Sequence, residues 1–343
     1  MTSYLEIRSG NPKYTYPTGR IRGLEKYLLT SSDITRLQET PNLKECYEAL
    51  TRYHHYSDSL RGFAETFDYE QALEQEWART HHELRGFAPE LELLDLFWLE
   101  QDVHNTKVIL KLQHQNNLPE DVGDIELLSV SATVPRAAVY AAVVKDDLHA
   151  VPPSLAVLIS DAHSALEKGI MARQMDVLLD RHFLQMLVQG LATFHDSFLD
   201  QLGHKLVDAY NIKALVRIKL WERDDERLLL EAALSPGGSI STETLLSHSG
   251  GGLEFLLDAF RASTYFHSVQ HAIQEWHSNH TLFALTRYLR EDLLEYLERG
   301  AYITFGREPL IRYIFLKKTE IGRLRHVFRA KQAGIPVDSI PLG

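Results

Sequence analysis

DVHNTKVILKL, residues 102–112, lies without a gap on DAYNIKALVRI, residues 208–218, at an offset of 106. Asp, Asn and Lys are identical in the two stretches, and Ile109/Leu215, Leu110/Val216, Lys111/Arg217 and Leu112/Ile218 are conservative pairs. At the same offset Leu73 falls on Leu179 and Trp77 on Phe183. A third stretch, KKTEIGRLRHVF, begins at Lys317, 109 residues after Asp208, and sets Glu320 at the Asn position. Such a period is far longer than a solenoid repeat, so each copy is expected to be a small helical domain. Three related domains imply rough threefold pseudo-symmetry.

Outward from these stretches the pattern stays helical. Between Asp176 and Asp200, Leu179, Phe183, Leu187, Leu191, Phe194 and Phe198 recur every three or four residues, which predicts one stripe of an amphipathic helix. Leu282, Leu285, Leu289, Leu293 and Tyr296 repeat the spacing, and alternating strand-like runs are scarce. The fold class read from the sequence is all-α. Breaks fall at QNNLPEDVGD (115–124), at SPGGS (235–239) and at SHSGGG (247–252), while Pro152 and Pro153 mark a helix start. These divide the chain into units 1–124, 125–234 and 235–343, the last with a basic carboxyl-terminal helix.

Within the repeated D-x-x-N-x-K element, Asp102 and Asn105 share a helix face, as do Asp208 and Asn211, with Lys107 and Lys213 to one side. Polar groups at the same place in otherwise apolar helices predict hydrogen bonds to a neighbouring helix or its terminus, fixing register. The alternative is that carboxylate and amide face a partner's groove.

Composition bounds the function. Hydrophobic residues make up 44% and charged residues 24% of the 343, as in an ordinary globular protein of more than one domain. Cys46 is the single cysteine, so no intrachain disulfide or thiolate metal cluster can form, which fits a cytosolic setting. MTSYLEIRSGNPKYTYP at the amino terminus lacks the apolar core of a signal peptide. The longest apolar run, AAVYAAVV from Ala137 to Val144, falls well short of the roughly 18–20 residues that cross a bilayer. A net charge of -11 disfavours nonspecific nucleic-acid binding. Yet Arg307–Gly343 carries eight Lys or Arg against three Asp or Glu, so a basic carboxyl-terminal helix sits on an acidic body, either as a solvated face or docked onto an acidic partner or the acidic body itself.

Neither a GxxxxGK[ST] phosphate loop nor a GxGxxG after a strand is present. The best enzymatic candidate is the pair His195 and Asp196, which in a chain with 17 histidines raises a metal-dependent phosphohydrolase as an alternative. The plainer reading sets both on the partly polar side of the helix described above.

Taken end to end, the sequence resembles the C subunit of V/A-type ATPases, whose eukaryotic vacuolar counterpart is the d subunit. Tyr16, Arg20, Arg22, Leu28 and Leu29 resemble the family's opening. The helices at Asp102 and Asp208 resemble its internal repeats. FGREPLIRYIFLKKTEIGRLRHVFRAKQAGIP, residues 305–336, resembles its closing Glu-Pro, Tyr-centred helix, Glu-Ile turn, Leu-Arg pair and Gly-x-Pro, with Gly322 where a longer polar residue is expected. The resemblance implies a funnel-shaped, non-catalytic rotor component without catalytic, cofactor-binding or metal residues. Its implied partners are the D and F subunits of the central stalk and a membrane rotor ring of c/K-type subunits, on the cytoplasmic, inner face of the membrane. It also marks Asp102, Asn105, Lys107, Asp208, Asn211, Lys213 and Glu320 as repeat-defining structural positions. A free-standing helical scaffold for another protein is the other non-enzymatic reading.

Overall fold

Every regular element among the described residues is a helix, and none is a strand. The computed structural model describes residues 11–170, 172–220 and 226–336; the stretch read for a signal peptide, through residue 10, and the chain after Pro336 lie outside the described residues. The chain divides into two compact units. One draws on both ends, through Leu94 and again from Arg290; the other is Asp95–Leu289.

The first unit contains α1 (Thr15–Glu25), α2 (Ser31–Gln38), α3 (Leu43–Leu50), α4 (His54–Arg61) and α5 (Tyr69–Arg85). α6 (Leu91–Leu96) carries the chain across the boundary. Local chemistry sets the starts: Thr30 and Asp33 form a reciprocal capping box at α2, Asn42 caps α3 and Asp68 caps α5. The buried side chains include Ile21, Leu37, Tyr47, Leu60 and Leu73.

The second unit runs through α7 (Leu99–His114), α8 (Arg136–Val144), α9 (Pro153–Glu167), α10 (Ala172–Ala192), α11 (Ser197–Lys219), α12 (Glu226–Ala233), α13 (Thr242–Ser247), α14 (Leu253–Leu257) and α15 (Phe266–Asn279). It holds two apolar clusters. One gathers Val103, Ile109, Val139, Ile159 and Leu179; the other gathers Ile212, Leu215, Leu230, Phe260 and Val269. The expected breaks lie between helices: α7 ends before Gln115, SPGGS separates α12 from α13, and Pro153 opens α9.

α16 (Phe283–Leu297) returns the chain to the first unit, where α17 (Glu308–Ala333) closes it. α17 is 26 residues long, about 39 Å, opened by Pro309 and ended by Gly334 in the left-handed region at φ 66°. Its buried stripe from Leu310 to Ala330 packs with α1, α2, α3 and α5.

Two expectations need correction. The stretch from Asp176 to Asp200 is not one helix: α10 ends at Ala192, His195 takes φ 47°, and Asp196 starts α11 by accepting the N–H groups of Phe198 at 2.8 Å and Leu199 at 3.3 Å. The apolar spacing persists across the break because both helices face the same kind of core, and Thr193 and Asp196 supply terminus chemistry that spacing does not register. Likewise Glu320–Ile321 lie inside α17 rather than at a turn, since no breaker interrupts its buried stripe.

Two glycines separate packing from propensity. A Cβ on buried Gly300 would stand 2.7 Å from the Glu308 carbonyl oxygen, a backbone atom that cannot step aside. One on exposed Gly322, inside α17, would meet nothing within 4 Å. In denaturant melts Gly300→Ala is expected to cost about 1–3 kcal/mol, whereas Gly322→Ala is expected to stabilise by about 0.5–1 kcal/mol.

Candidate functional site

The sequence-marked residues build three polar sites in helix interiors. On α7 the Asp102 carboxylate accepts the N–H groups of Thr133 and Val134 on one oxygen, each at 2.8 Å, and the Thr133 hydroxyl on the other at 2.6 Å. Val134 is followed by Pro135, the N-cap of α8. One turn further along α7, Asn105 exchanges two hydrogen bonds with Ser129: the Ser129 N–H reaches Oδ1 at 2.7 Å, and Nδ2 donates to the Ser129 carbonyl at 3.2 Å. Asp102 and Asn105 are 2% and 0% exposed, so the bonds replace water altogether.

α11 repeats the arrangement at the same offset. Asp208 accepts the N–H groups of Ser239 and Ile240, at 2.9 and 3.4 Å, and the Ser239 hydroxyl. Asn211 exchanges two 2.8 Å bonds with Ser235, and Ile240 leads through Ser241 into α13. Gly238 permits the approach, since a Cβ there would lie 2.3 Å from the Asp208 carboxylate. Burial pushes both Asp102 and Asp208 above the ordinary carboxylate range, and the hydroxyl and N–H donors only partly offset it.

The third site changes the chemistry. Glu320 of α17 accepts the N–H of Leu29 and, at 2.5 Å, the hydroxyl of Tyr56. Leu29 precedes Thr30, the N-cap of α2, as Val134 precedes Pro135 and Ile240 precedes Ser241. Lys317, at the position Asp holds in the other copies, is 2% exposed; its ammonium stands 2.7 Å from Glu320, 2.9 Å from Glu76 and 4.2 Å from the centre of the Tyr56 ring. Glu76, with no exposure, also binds Arg79 at 2.7 Å and accepts the Ser59 hydroxyl at 3.1 Å. Burial works to raise the Glu76 carboxyl, but Arg79 and Lys317 outweigh it and hold it below the ordinary range. Burial first, then the Glu320 and Glu76 charges, lift the Tyr56 phenol far above its ordinary value.

Lys107 pairs with Asp180 and Lys111 with Asp176 at 2.7 Å, tying α7 to α10. The basic charge of the closing segment is largely met inside the first unit: Arg307 on Glu90, Arg312 on Glu25 and Glu298, and Arg325 and Arg329 on Glu70. Arg22, singled out near the amino terminus, donates to the carbonyls of Gly300 and Ala301 at 2.7 and 2.8 Å.

The sequence pattern of the ATP synthase (C/AC39) subunit family matches residues 17–341. The chain belongs to that family. It is 24% identical to the C subunit of the V-type sodium ATPase of Enterococcus hirae, across 91% of this chain and 92% of the relative. It is 24% identical to the C subunit of the A-type ATP synthase of Methanothermobacter thermautotrophicus, across 94% and 85%, and 22% identical to that of Haloquadratum walsbyi, across 98% and 99%. C/AC39 proteins are non-catalytic members of their ATPase complexes.

In this C/AC39 protein the His195–Asp196 pair occupies the α10–α11 break, where Asp196 serves as a helix cap. Among the described residues no group of three or more His, Cys, Asp or Glu side chains is placed to hold a metal ion. Repeat spacing does not mark Glu76, Tyr56 or Glu90, although all three are central to the packing of the first unit. The signals that do point there are the i,i+3 spacings Glu76–Arg79 and Lys317–Glu320, which put paired charges on one helix face.

Asp208→Ala leaves two backbone N–H groups and a hydroxyl without an acceptor and is expected to cost about 2–3 kcal/mol in urea unfolding, with Asp208→Asn recovering roughly half. Acid acts on the sites in opposite senses. The Glu76 contribution is complete above its ordinary 4.5 and is lost as pH falls through its lower folded value. That of Asp102 and Asp208 is complete below their ordinary 3.8 and is lost as pH rises through their raised folded values. Urea midpoints followed from neutral pH down to about pH 3 should therefore show the acid limb flattened by Glu76→Gln and the opposing slope removed by Asp102→Asn.

Proposed function

We propose that this C/AC39 protein is the single-copy coupling element of a rotary V/A-type ATPase, joining the central stalk, built from D and F subunits, to a membrane rotor ring of c/K-type subunits. Three related helical units about a pseudo-threefold axis would form a funnel-shaped socket for the foot of the stalk. The protein would sit peripherally at the cytoplasmic, inner face of the membrane, held there by the ring.

The observation that carries this reading is the family match over nearly the whole chain, with C-subunit relatives covered over most of their own length. Among the described residues no helix is long and apolar enough to cross a membrane, which fits contact with the bilayer through a partner. Transmission of torque needs stiff bodies, and helices tied by buried carboxylate and amide bonds supply local stiffness. On this reading Asp102, Asn105, Lys107, Asp208, Asn211, Lys213 and Glu320 are repeat-defining positions that act through the fold rather than on a substrate.

Titration of the purified chain into a purified D–F stalk pair, followed by size-exclusion chromatography with light scattering, tests the assignment. A complex with one copy of each protein is expected. A folded chain that leaves a folded stalk pair unbound at tens of micromolar, a concentration that reveals even weak interfaces of about −6 kcal/mol, would return the protein to the free-standing scaffold reading.

A further inference from the structure

Part of the contact between α4 and α5 in the first unit runs through one imidazole. Nη2 of Arg79 stands 2.9 Å from Nδ1 of His55. A guanidinium offers donors only, so this bond exists while Nδ1 is bare, and the ring's one proton then belongs on Nε2. Nε2 is shut off from water and has no hydrogen-bond partner. The ring meets Tyr27 edge-on, with centroids 4.5 Å apart, and lies 5.6 Å from the ring of exposed His54.

The charged groups that act on His55 are Arg79, Glu76 and Glu83 of α5 and Lys317 of α17, with Tyr27 and His54 against its ring. Both acids are already committed. On Glu76, Oε2 accepts the Ser59 hydroxyl at 3.1 Å and Nε of Arg79 at 2.7 Å, while Oε1 accepts Nη2 of Arg79 at 2.8 Å and faces the Lys317 ammonium at 2.9 Å. Glu83 accepts Nη1 of Arg79 at 2.9 Å and faces Arg20 at 3.6 Å. A proton on Nδ1 would therefore set two cations 2.9 Å apart with no uncommitted carboxylate between them, and the fork of Arg79 would have to withdraw. Burial first, then the Arg79 and Lys317 charges, hold the imidazole below its ordinary 6.5 against the opposing pull of Glu76 and Glu83.

We infer that His55 is an acid-sensitive latch: bare at Nδ1 it holds Arg79 between α4 and α5, and a proton there releases Arg79 and loosens α4 from the buried Glu76–Lys317 pair. Because the folded chain binds this proton less readily than the unfolded chain, the latch's contribution is complete above the ordinary 6.5 and is lost as pH falls toward the lower folded value. Glu76 loses its own contribution only below its ordinary 4.5, so the two steps are separable. The latch belongs to the first unit alone and stands whether or not the chain couples a stalk to a ring.

Long-range proton–nitrogen NMR spectra of the full chain, with the His55 ring assigned through its contacts with Tyr27, report the tautomer and its titration. Amide exchange along α4, corrected for the intrinsic pH dependence of exchange, reports opening. The expected result is the Nε2–H form at neutral pH, titration below 6.5, and an opening constant for α4 that rises about tenfold between about pH 7.5 and about pH 5.5. His55→Asn keeps a side-chain acceptor but cannot titrate, so its α4 opening is expected to stay flat over that range. An Nδ1–H tautomer, titration at or above 6.5, or the same tenfold rise in His55→Asn would overturn the latch. Should that variant fail to fold, the tautomer and titration of the wild-type ring decide alone.

Discussion

A carboxylate buried on one helix and bonded to two successive backbone N–H groups just ahead of another helix is the constraint on which each half of the second unit depends. Backbone N–H groups on the residues just ahead of a helix's N-cap lie outside the helix's own hydrogen-bond ladder, and burying them unpaired is costly. Asp102 and Asp208 satisfy such groups from outside, on the segments that lead into α8 and α13. Asn105 and Asn211, one turn along, hold the far side of the same loops by pairing with both backbone groups of Ser129 and Ser235. A loop fixed at both sides cannot slide, so the register of helix against helix follows from two side chains.

The first unit solves the same problem with different residues. Lysine replaces the aspartate and glutamate the asparagine, and the longer glutamate reaches the N–H of Leu29 ahead of α2. A buried ammonium then needs compensation, which Glu76 and Glu320 provide, with the Tyr56 ring against it. Buried ion pairs contribute little net stability relative to a well-packed apolar core, but removing one member leaves an uncompensated charge. Their effect here is to tie α4 and α5 to α17, so the unit is closed by elements from the two ends of the chain.

Much of this is legible in the sequence. The gapless offset between Asp102–Leu112 and Asp208–Ile218 is matched by hydrogen bonds that repeat at the same offset, from Thr133 to Ser239 and from Ser129 to Ser235. Proline and glycine punctuation finds the helix ends because those residues act on the backbone directly. What stays hidden depends on proximity through space. Composition makes the closing segment basic, but nothing local says that Glu70 meets Arg325 or Glu90 meets Arg307. The break before α11 is masked by an apolar period that continues on both sides of it, although Asp196 followed by Ser197 is a fair cap signal. Glu76 reads as one more surface acid on an amphipathic helix until α17 places Lys317 beside it.

Family membership and internal geometry together describe a protein whose repeated polar residues are bonded to the segments leading into neighbouring helices, and whose family is a non-catalytic part of its ATPase complexes. The most direct test of the coupling role is native mass spectrometry of the intact ATPase complex containing this chain, with stepwise dissociation. One copy per complex, leaving together with the central stalk or remaining as the link between stalk and ring, is the predicted result. Several copies per complex, or release of this chain alone while stalk and ring stay joined, would contradict it.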